Sequence, residues 1–165
     1  MGMDKLVLVC TNLSNTVAKK NYMDIERKGN FPPELRACWI KLNSTFQKNL
    51  QALGLTPDQF TVLRWINELN DETLCQKNLA QLMFTDSNNI SSLIRRMEKL
   101  KLITRVTDTQ DKRKRIIKIT NKGIKIFPEA KKIATALENN ILSQLNAVES
   151  KKLILFLQQI CAKLC

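Results

Sequence analysis

Two groups of residues in the middle of the chain have side chains suited to contacting a polyanion. The segment from Asn88 to Lys99 presents amides, hydroxyls and cations at helical spacing, and the cationic run "KRKR", residues 112–115, follows it closely. Asparagine side chains can pair with adenine, arginine with guanine and serine with either base, while lysine and arginine neutralise phosphates. These residue types therefore favour a nucleic-acid contact over the alternative, a solvated helix face and a solvated charged loop.

The positive charge of the chain is concentrated around these residues. The 165-residue chain has 27 Lys and Arg, 15 Asp and Glu, and a formal net charge of +12. Residues 76–122 hold twelve Lys and Arg against four Asp and Glu, a net +8 within that segment. So local an excess predicts a polyanionic partner, with nucleic acid favoured over an acidic membrane surface.

The composition argues against catalysis, metal binding and membrane insertion. Histidine is absent, which removes the commonest general base and most zinc chemistry. The five cysteines form no CxxC pair, and no paired carboxylates or phosphate loop are visible, so the sequence predicts neither an enzyme nor a metal or other cofactor. The odd cysteine count and the lack of a long apolar run predict a cytoplasmic protein with no membrane partner.

Apolar periodicity predicts the elements that position the polar residues. A long helix follows from Glu34, with one apolar stripe, and ends at Gly54. The segment "TPDQF" predicts a second helix, with Thr56 as its N-cap and Gln59 completing a capping box. A short helix over "QKNLAQLMF" and a fourth helix capped by Asp86 then predict a helix-turn-helix.

The fourth helix separates apolar from polar side chains. At about 100° per residue, one side carries apolar residues and the other polar ones. The apolar side comprises Ile90, Leu93, Ile94, Met97 and Leu100, and the polar side comprises Asn88, Ser91, Ser92, Arg95 and Lys99. The polar side is thus the predicted base-reading face.

Two β-rich runs, "LITRVT" and "RIIKIT", follow this helix and predict a hairpin with the basic block at its tip. Such a hairpin is a wing that would hold cations out toward phosphates or a minor groove.

Two further amphipathic helices complete the chain, the first kinked or restarted at Pro128. The predicted fold is mainly α with a small β-hairpin wing, a winged helix-turn-helix with N- and C-terminal dimerisation helices. The predicted boundaries are 1–33 for an accessory helix and linker, 34–53 for the first dimerisation helix, 54–123 for the winged helix-turn-helix and 124–165 for the C-terminal dimerisation helices.

This order of elements resembles the multiple-antibiotic-resistance regulator (MarR) family of transcription factors. The similar stretches are "GLTPDQFTVLRWI", "QKNLAQLMFTDSNNISSLIRRMEKLKLITR" and "DTQDKRKRIIKITNKG", which together cover most of residues 54–123. The resemblance implies a homodimer that binds double-stranded DNA at a pseudo-palindrome, with the fourth helix in the major groove and the wing in the minor groove. It implies a transcriptional regulator, with repression as the expected mode.

The resemblance also implies roles for individual residues. By position, the DNA-binding residues would be Ser87, Asn88, Asn89, Ser91, Ser92, Arg95, Lys112, Arg113, Lys114 and Arg115. Arg113 would be the wing-tip arginine, and Asp111 would orient it by a charge-assisted hydrogen bond.

Three residues depart from the family pattern. Phe84 and Lys101 stand where the family commonly has glycine, so left-handed backbone there would cost on the order of 1 kcal/mol each. Cys75 stands at the usual Ser or Thr cap of the third helix and is expected to cap it poorly. None of the three removes a predicted DNA contact.

Regulation is less readable from the sequence. Family members often bind a small-molecule effector, and Trp39, Phe46, Phe60 and Trp65 could line such a pocket, although we favour a core role for them. Cys38 has a position similar to that of peroxide-sensing cysteines of the family, but we expect a buried, inert thiol. The alternative function is a winged-helix interaction module that binds protein or RNA through its basic face.

Overall fold

The computed structural model describes residues 33–69, 74–109 and 111–164. The chain divides into two compact units, residues 1–38 and residues 39–165. The elements are α1 (Pro33–Leu50), a 3-10 turn (Gln51–Leu53), α2 (Pro57–Leu69), α3 (Gln76–Leu82), α4 (Ser87–Lys99), β1 (Ile103–Thr107), β2 (Arg115–Ile119), α5 (Asn121–Leu142) and α6 (Ala147–Lys163). This order confirms the predicted fold class, mainly helical with a two-stranded hairpin. The predicted accessory helix lies outside the described residues.

The turn between α1 and α2 forms as the sequence predicts. Gly54 adopts the left-handed conformation, with φ of 64°, and ends the 3-10 turn. Thr56 and Gln59 then form the capping box of α2, because the Thr56 N–H donates to Gln59 Oε1 at 3.0 Å and the Gln59 N–H donates to Thr56 Oγ1 at 3.3 Å.

Helix α4 packs into the core along the predicted face. Ile90, Leu93, Ile94 and Met97 are buried, and the Asp86 carboxylate caps the helix N-terminus by accepting two backbone N–H bonds. Leu100, predicted on the same side, is 40% exposed. It lies at the edge of this face, about 80° from Ile90 at about 100° per residue.

Two turns carry left-handed backbone at residues with side chains. Phe84 has φ of 49° and Lys101 has φ of 57°, as expected at positions where the family commonly has glycine. Each conformation costs on the order of 1 kcal/mol. The Phe84 turn joins α3 to α4, and the Lys101 turn joins α4 to β1, so both bracket the helix that carries the polar face.

The hairpin is antiparallel, and a third segment pairs with the outer edge of β2. Ile103 pairs with Ile119 at the base, and Thr107 pairs with Arg115 nearest the tip. On the other edge of β2, Cys75 forms a bridge with Ile116, and the Ile117 N–H donates to the Leu74 carbonyl at 2.8 Å. The residues that precede α3 are therefore tied to the wing.

Asn78 supports the start of α3. Its Oδ1 accepts hydrogen bonds from the Cys75 N–H at 3.1 Å and from the Cys75 thiol at 2.9 Å. A side chain inside the first turn thus supplies the reciprocal half of the capping box.

The core lies between α2, α4, the hairpin base and the first half of α5. Phe60 sits at one end of it, edge-on to Phe46 with ring centroids 5.3 Å apart and stacked on Phe127 at 6.0 Å. The fully buried residues include Leu50, Leu55, Val62, Leu63, Leu79, Leu102, Ile103 and Ile117.

Three sequence-based expectations about the long helices were wrong. Trp39 is 65% exposed rather than part of the core, and Cys38 is exposed rather than buried. A stripe at helical spacing shows that a face is apolar but does not show that the same chain covers it. Of the two alternatives for Pro128, the restart was wrong, because α5 runs unbroken from Asn121 to Leu142 with Pro128 inside it.

Candidate nucleic-acid interface

The polar face of α4 is solvent-exposed. Ser87, Asn88, Asn89, Ser92 and Arg95 are exposed, whereas Ser91 is half-buried. The four buried apolar residues on the opposite side hold the helix against the body. The helix can therefore present amides, a hydroxyl and a guanidinium to a ligand without leaving the core.

Two of the polar side chains on α4 are engaged within the protein. The Asn89 amide donates to Asp86 Oδ2 at 2.6 Å. The Ser91 hydroxyl donates to the Ser87 carbonyl at 2.6 Å and accepts from Gln76 Nε2 at 2.6 Å. Sequence reasoning missed Gln76, which links α3 to α4, because no local spacing reveals a contact between residues 15 positions apart.

The tip of the hairpin is ordered by its own backbone and by two carboxylates, the first of which, Asp108, accepts from the Asp111 N–H at 3.2 Å. The Asp108 N–H donates to the Lys114 carbonyl at 3.0 Å, and the Lys114 N–H donates to the Asp111 carbonyl at 2.9 Å. Asp111 Oδ1 accepts from the Arg113 backbone N–H at 2.9 Å. This charge-assisted bond fixes the backbone of the tip and leaves the Arg113 side chain exposed.

The four cations of the tip differ in their surroundings. Lys112 and Arg113 are exposed, and Lys114 is half-buried. Arg115 is exposed but donates from Nη1 to Thr107 Oγ1 across the strands at 2.9 Å. Lys112 and Arg113 are accordingly the pair best placed to reach outward.

A bidentate ion pair joins α4 to the hairpin. Arg105 Nε lies 2.9 Å from Glu98 Oε1, and Arg105 Nη2 lies 2.6 Å from Glu98 Oε2. The hydrogen bond to Glu98 raises the pKa of Arg105 above its ordinary value, so the guanidinium remains charged at physiological pH. This planar fork fixes orientation as well as distance, and it connects the two surfaces predicted to contact nucleic acid. No pattern in the sequence predicted the Glu98–Arg105 pair.

Of the four aromatic residues proposed for an effector pocket, Phe60 and Trp65 line two separate clefts in the part of the chain that the structure describes. Phe60 and Phe127 line a cleft of about 180 Å³ between α2 and α5, together with Arg64 and Lys131. Trp65 lines a separate cleft of about 420 Å³ beside Phe84. Trp39 lines neither cleft.

Metal and membrane sites are not found in the described part of the chain. Residues 33–69, 74–109 and 111–164 contain no group of three or more His, Cys, Asp or Glu arranged to hold a metal ion. No helix within these ranges has the length and apolar character that a membrane span requires.

The helix-turn-helix and the wing match a known family. Residues 53–114 match the profile described as the MarR family. A stretch of 80 residues is 35% identical to the "Uncharacterized HTH-type transcriptional regulator YsmB" of Bacillus subtilis (strain 168) and covers 48% of this chain. Over this region, the chain is similar to the MarR family. The aligned stretch spans 53% of that curated relative, about half of its length.

Solved structures share the fold of this chain. The Staphylococcus aureus MepR–DNA complex superposes with a TM-score of 0.74 at 24% identity, over 79% of this chain and 94% of that one. The transcriptional repressor CouR, bound to a 23-mer DNA duplex, superposes with a TM-score of 0.71 at 24% identity, over 78% of this chain and 89% of that one. At this identity, the likeness establishes a common fold.

Proposed function

We propose that this chain, which is similar to the MarR family, is a sequence-specific transcriptional regulator that binds double-stranded DNA in the cytoplasm. As a homodimer, it reads a pseudo-palindromic operator and represses transcription by occupying a promoter. Helix α4 enters the major groove through its exposed polar face, and the wing places Arg113 in the adjacent minor groove. Lys112, Lys114 and Arg115 contact the phosphate backbone.

One observation carries this proposal. The exposed polar face of α4 is joined through the Glu98–Arg105 fork to a hairpin whose tip is cationic. A duplex offers the matching pair of targets, base edges in its major groove and phosphates or a minor groove beside it. The MepR and CouR complexes support the proposal, since both are structures of this fold bound to DNA.

Binding to DNA should be specific and strongly salt-dependent. A protein that neutralises about six to ten phosphates loses roughly a thousandfold or more in affinity between about 50 and 200 mM salt. Binding releases counterions from the duplex, and this release becomes less favourable as the salt concentration rises. The measurement is selection of binding sequences from random double-stranded DNA, then titration of the selected duplex with and without competitor DNA. If the selected duplex is displaced by competitor as easily as random DNA, and salt leaves its affinity unchanged, the proposal fails.

Exposed apolar side chains on α6 support a dimer. No residue of this 17-residue helix is buried, although most helical stability in proteins comes from packing of an apolar face. The exposed apolar residues of α6 and its C-cap are Val148, Leu153, Ile154, Leu155, Phe156, Leu157, Ile160 and Leu164. Trp39 and Leu42 of α1 are exposed as well. A second copy supplies the same apolar faces, as a two-fold interface requires.

A charge placed in the α6 stripe should dissociate the dimer. Phe156→Glu buries a carboxylate at the proposed interface, which we expect to weaken dimerisation at least roughly a hundredfold. Gln158→Glu is the matched control, because residue 158 lies about 160° from Phe156 at about 100° per residue, on the side away from Leu153 and Ile160. Analytical ultracentrifugation over a concentration series gives the dissociation constants. Equal constants for the two variants would contradict the assignment of the stripe to the interface.

A further inference from the structure

The residues of α4 differ in how directly they face away from the protein. At about 100° per residue, the buried residues Ile90, Leu93, Ile94 and Met97 define one direction, and Asn88, Ser92 and Arg95 lie within about 30° of the opposite direction. Ser87, Asn89 and Ser91 lie on the two flanks of the helix. Helical geometry thus divides the residues predicted to contact DNA into an outward-facing group and a flanking group.

Hydrogen bonding separates the same residues. On the flanks, the Asn89 amide donates to the Asp86 carboxylate at 2.6 Å. The Ser91 hydroxyl donates its one proton to the Ser87 carbonyl. Gln76 also donates to Ser91, which is half-buried. A base edge is read by paired donors and acceptors in one plane, so an amide held against its own N-cap carboxylate is poorly placed to pair with adenine.

We infer that base identity is read by Asn88, Ser92 and Arg95 alone, and that Asn89 and Ser91 set the geometry of the helix. This inference rests on the proposed DNA-binding function and narrows it. Asn88 pairs with an adenine and Arg95 with a guanine, because these are the bases that their planar side chains match in the major groove. Ser92 lies between them and can form a hydrogen bond with either type of base.

The spacing of the readers predicts the spacing of the bases. Asn88 and Arg95 are seven residues apart, or about 10.5 Å along the helix axis. At about 3.4 Å per base step, this distance corresponds to roughly three steps when the helix follows the groove. Each half-site should therefore contain an A·T pair and a G·C pair about three positions apart. Lys99, one turn beyond Arg95 on the same stripe, falls where the phosphate backbone is within reach.

The chain offers two matched pairs of variants for the test. Asn88→Ala and Asn89→Ala remove the same amide from a reader and from a flank, and Ser92→Ala and Ser91→Ala remove the same hydroxyl. The full chain and each variant are used to select binding sequences from random double-stranded DNA, and each protein's melting temperature is measured. Arg95→Ala completes the set.

We expect Asn88→Ala and Arg95→Ala each to lose roughly 5- to 100-fold of discrimination at one base position, with the two positions about three apart. Asn89→Ala and Ser91→Ala should keep the wild-type preferences even where their melting temperatures fall. If Asn89→Ala or Ser91→Ala alters base preference as much as its matched partner, the division of roles is wrong. If Asn88→Ala and Arg95→Ala keep the full wild-type preference, it is also wrong. Failure of the wild-type chain to enrich any sequence would overturn the DNA-binding function itself.

Discussion

Replacing Gly123 by alanine is expected to destabilise the winged domain by about 3 kcal/mol or more, a large part of the stability of a typical domain. Gly123 lies in the first turn of α5, and a Cβ there would overlap the Leu102 carbonyl oxygen and lie 2.6 Å from Ile119 Cγ1. The Leu102 carbonyl cannot retreat freely, because it accepts hydrogen bonds from the Thr120 N–H at 3.1 Å and the Thr120 hydroxyl at 3.0 Å.

Gly54→Ala provides the control for this prediction. Gly54 has φ of 64° but has open space around the position of a Cβ, so alanine there should cost only about 1 kcal/mol in backbone strain. Urea unfolding followed by circular dichroism gives both free energies of unfolding. A loss for Gly123→Ala that is no greater than the loss for Gly54→Ala would show that the close approach at α5 is relieved elsewhere.

Neutralising the exposed pair at the wing tip should produce the largest change in DNA affinity. Lys112→Gln combined with Arg113→Gln removes four charges from the proposed dimer, and each lost phosphate contact removes about one unit from the slope of log K against log salt. We expect an affinity loss on the order of a hundred- to a thousandfold at about 100 mM salt. Stability should change little, since both side chains are exposed.

The control for the wing variant removes equal charge from a different place. Lys151→Gln with Lys152→Gln neutralises two exposed lysines of α6, and we expect it to leave the salt slope within about one unit of the wild-type value. Fluorescence anisotropy at several salt concentrations gives both slopes. Similar losses for the two double variants would mean that net charge, rather than the position of the wing, determines affinity.

Local features of the site were predictable because they depend on neighbouring residues. The caps at Thr56 and Asp86 and the buried face of α4 follow from a few adjacent side chains. The polar face of α4 was predictable for the same reason. Its angular arrangement is a property of the helix alone. The left-handed backbone at Phe84 and Lys101 was expected only from the resemblance to a family that commonly has glycine there.

Contacts between elements were not predictable in the same way. The Glu98–Arg105 fork and the Gln76–Ser91 hydrogen bond join residues on different elements, and their formation depends on packing that a periodic pattern does not encode. The exposure of Trp39 shows the same limit. An apolar stripe predicts that a face will be covered, but it does not specify which chain covers it.

The pairing of Leu74 and Cys75 with β2 divides the wing into two mechanical parts. At Ile116 and Ile117, β2 has partners on both edges, since Ile117 bonds to Leu74 and the strand also pairs with β1. Beyond the Cys75–Ile116 bridge, the hairpin is held by the Thr107–Arg115 pair and by the hydrogen bonds of its own turn. We expect bending to concentrate in this outer part, so that a DNA-binding wing adjusts to duplexes of different minor-groove width while the register of α4 stays constant.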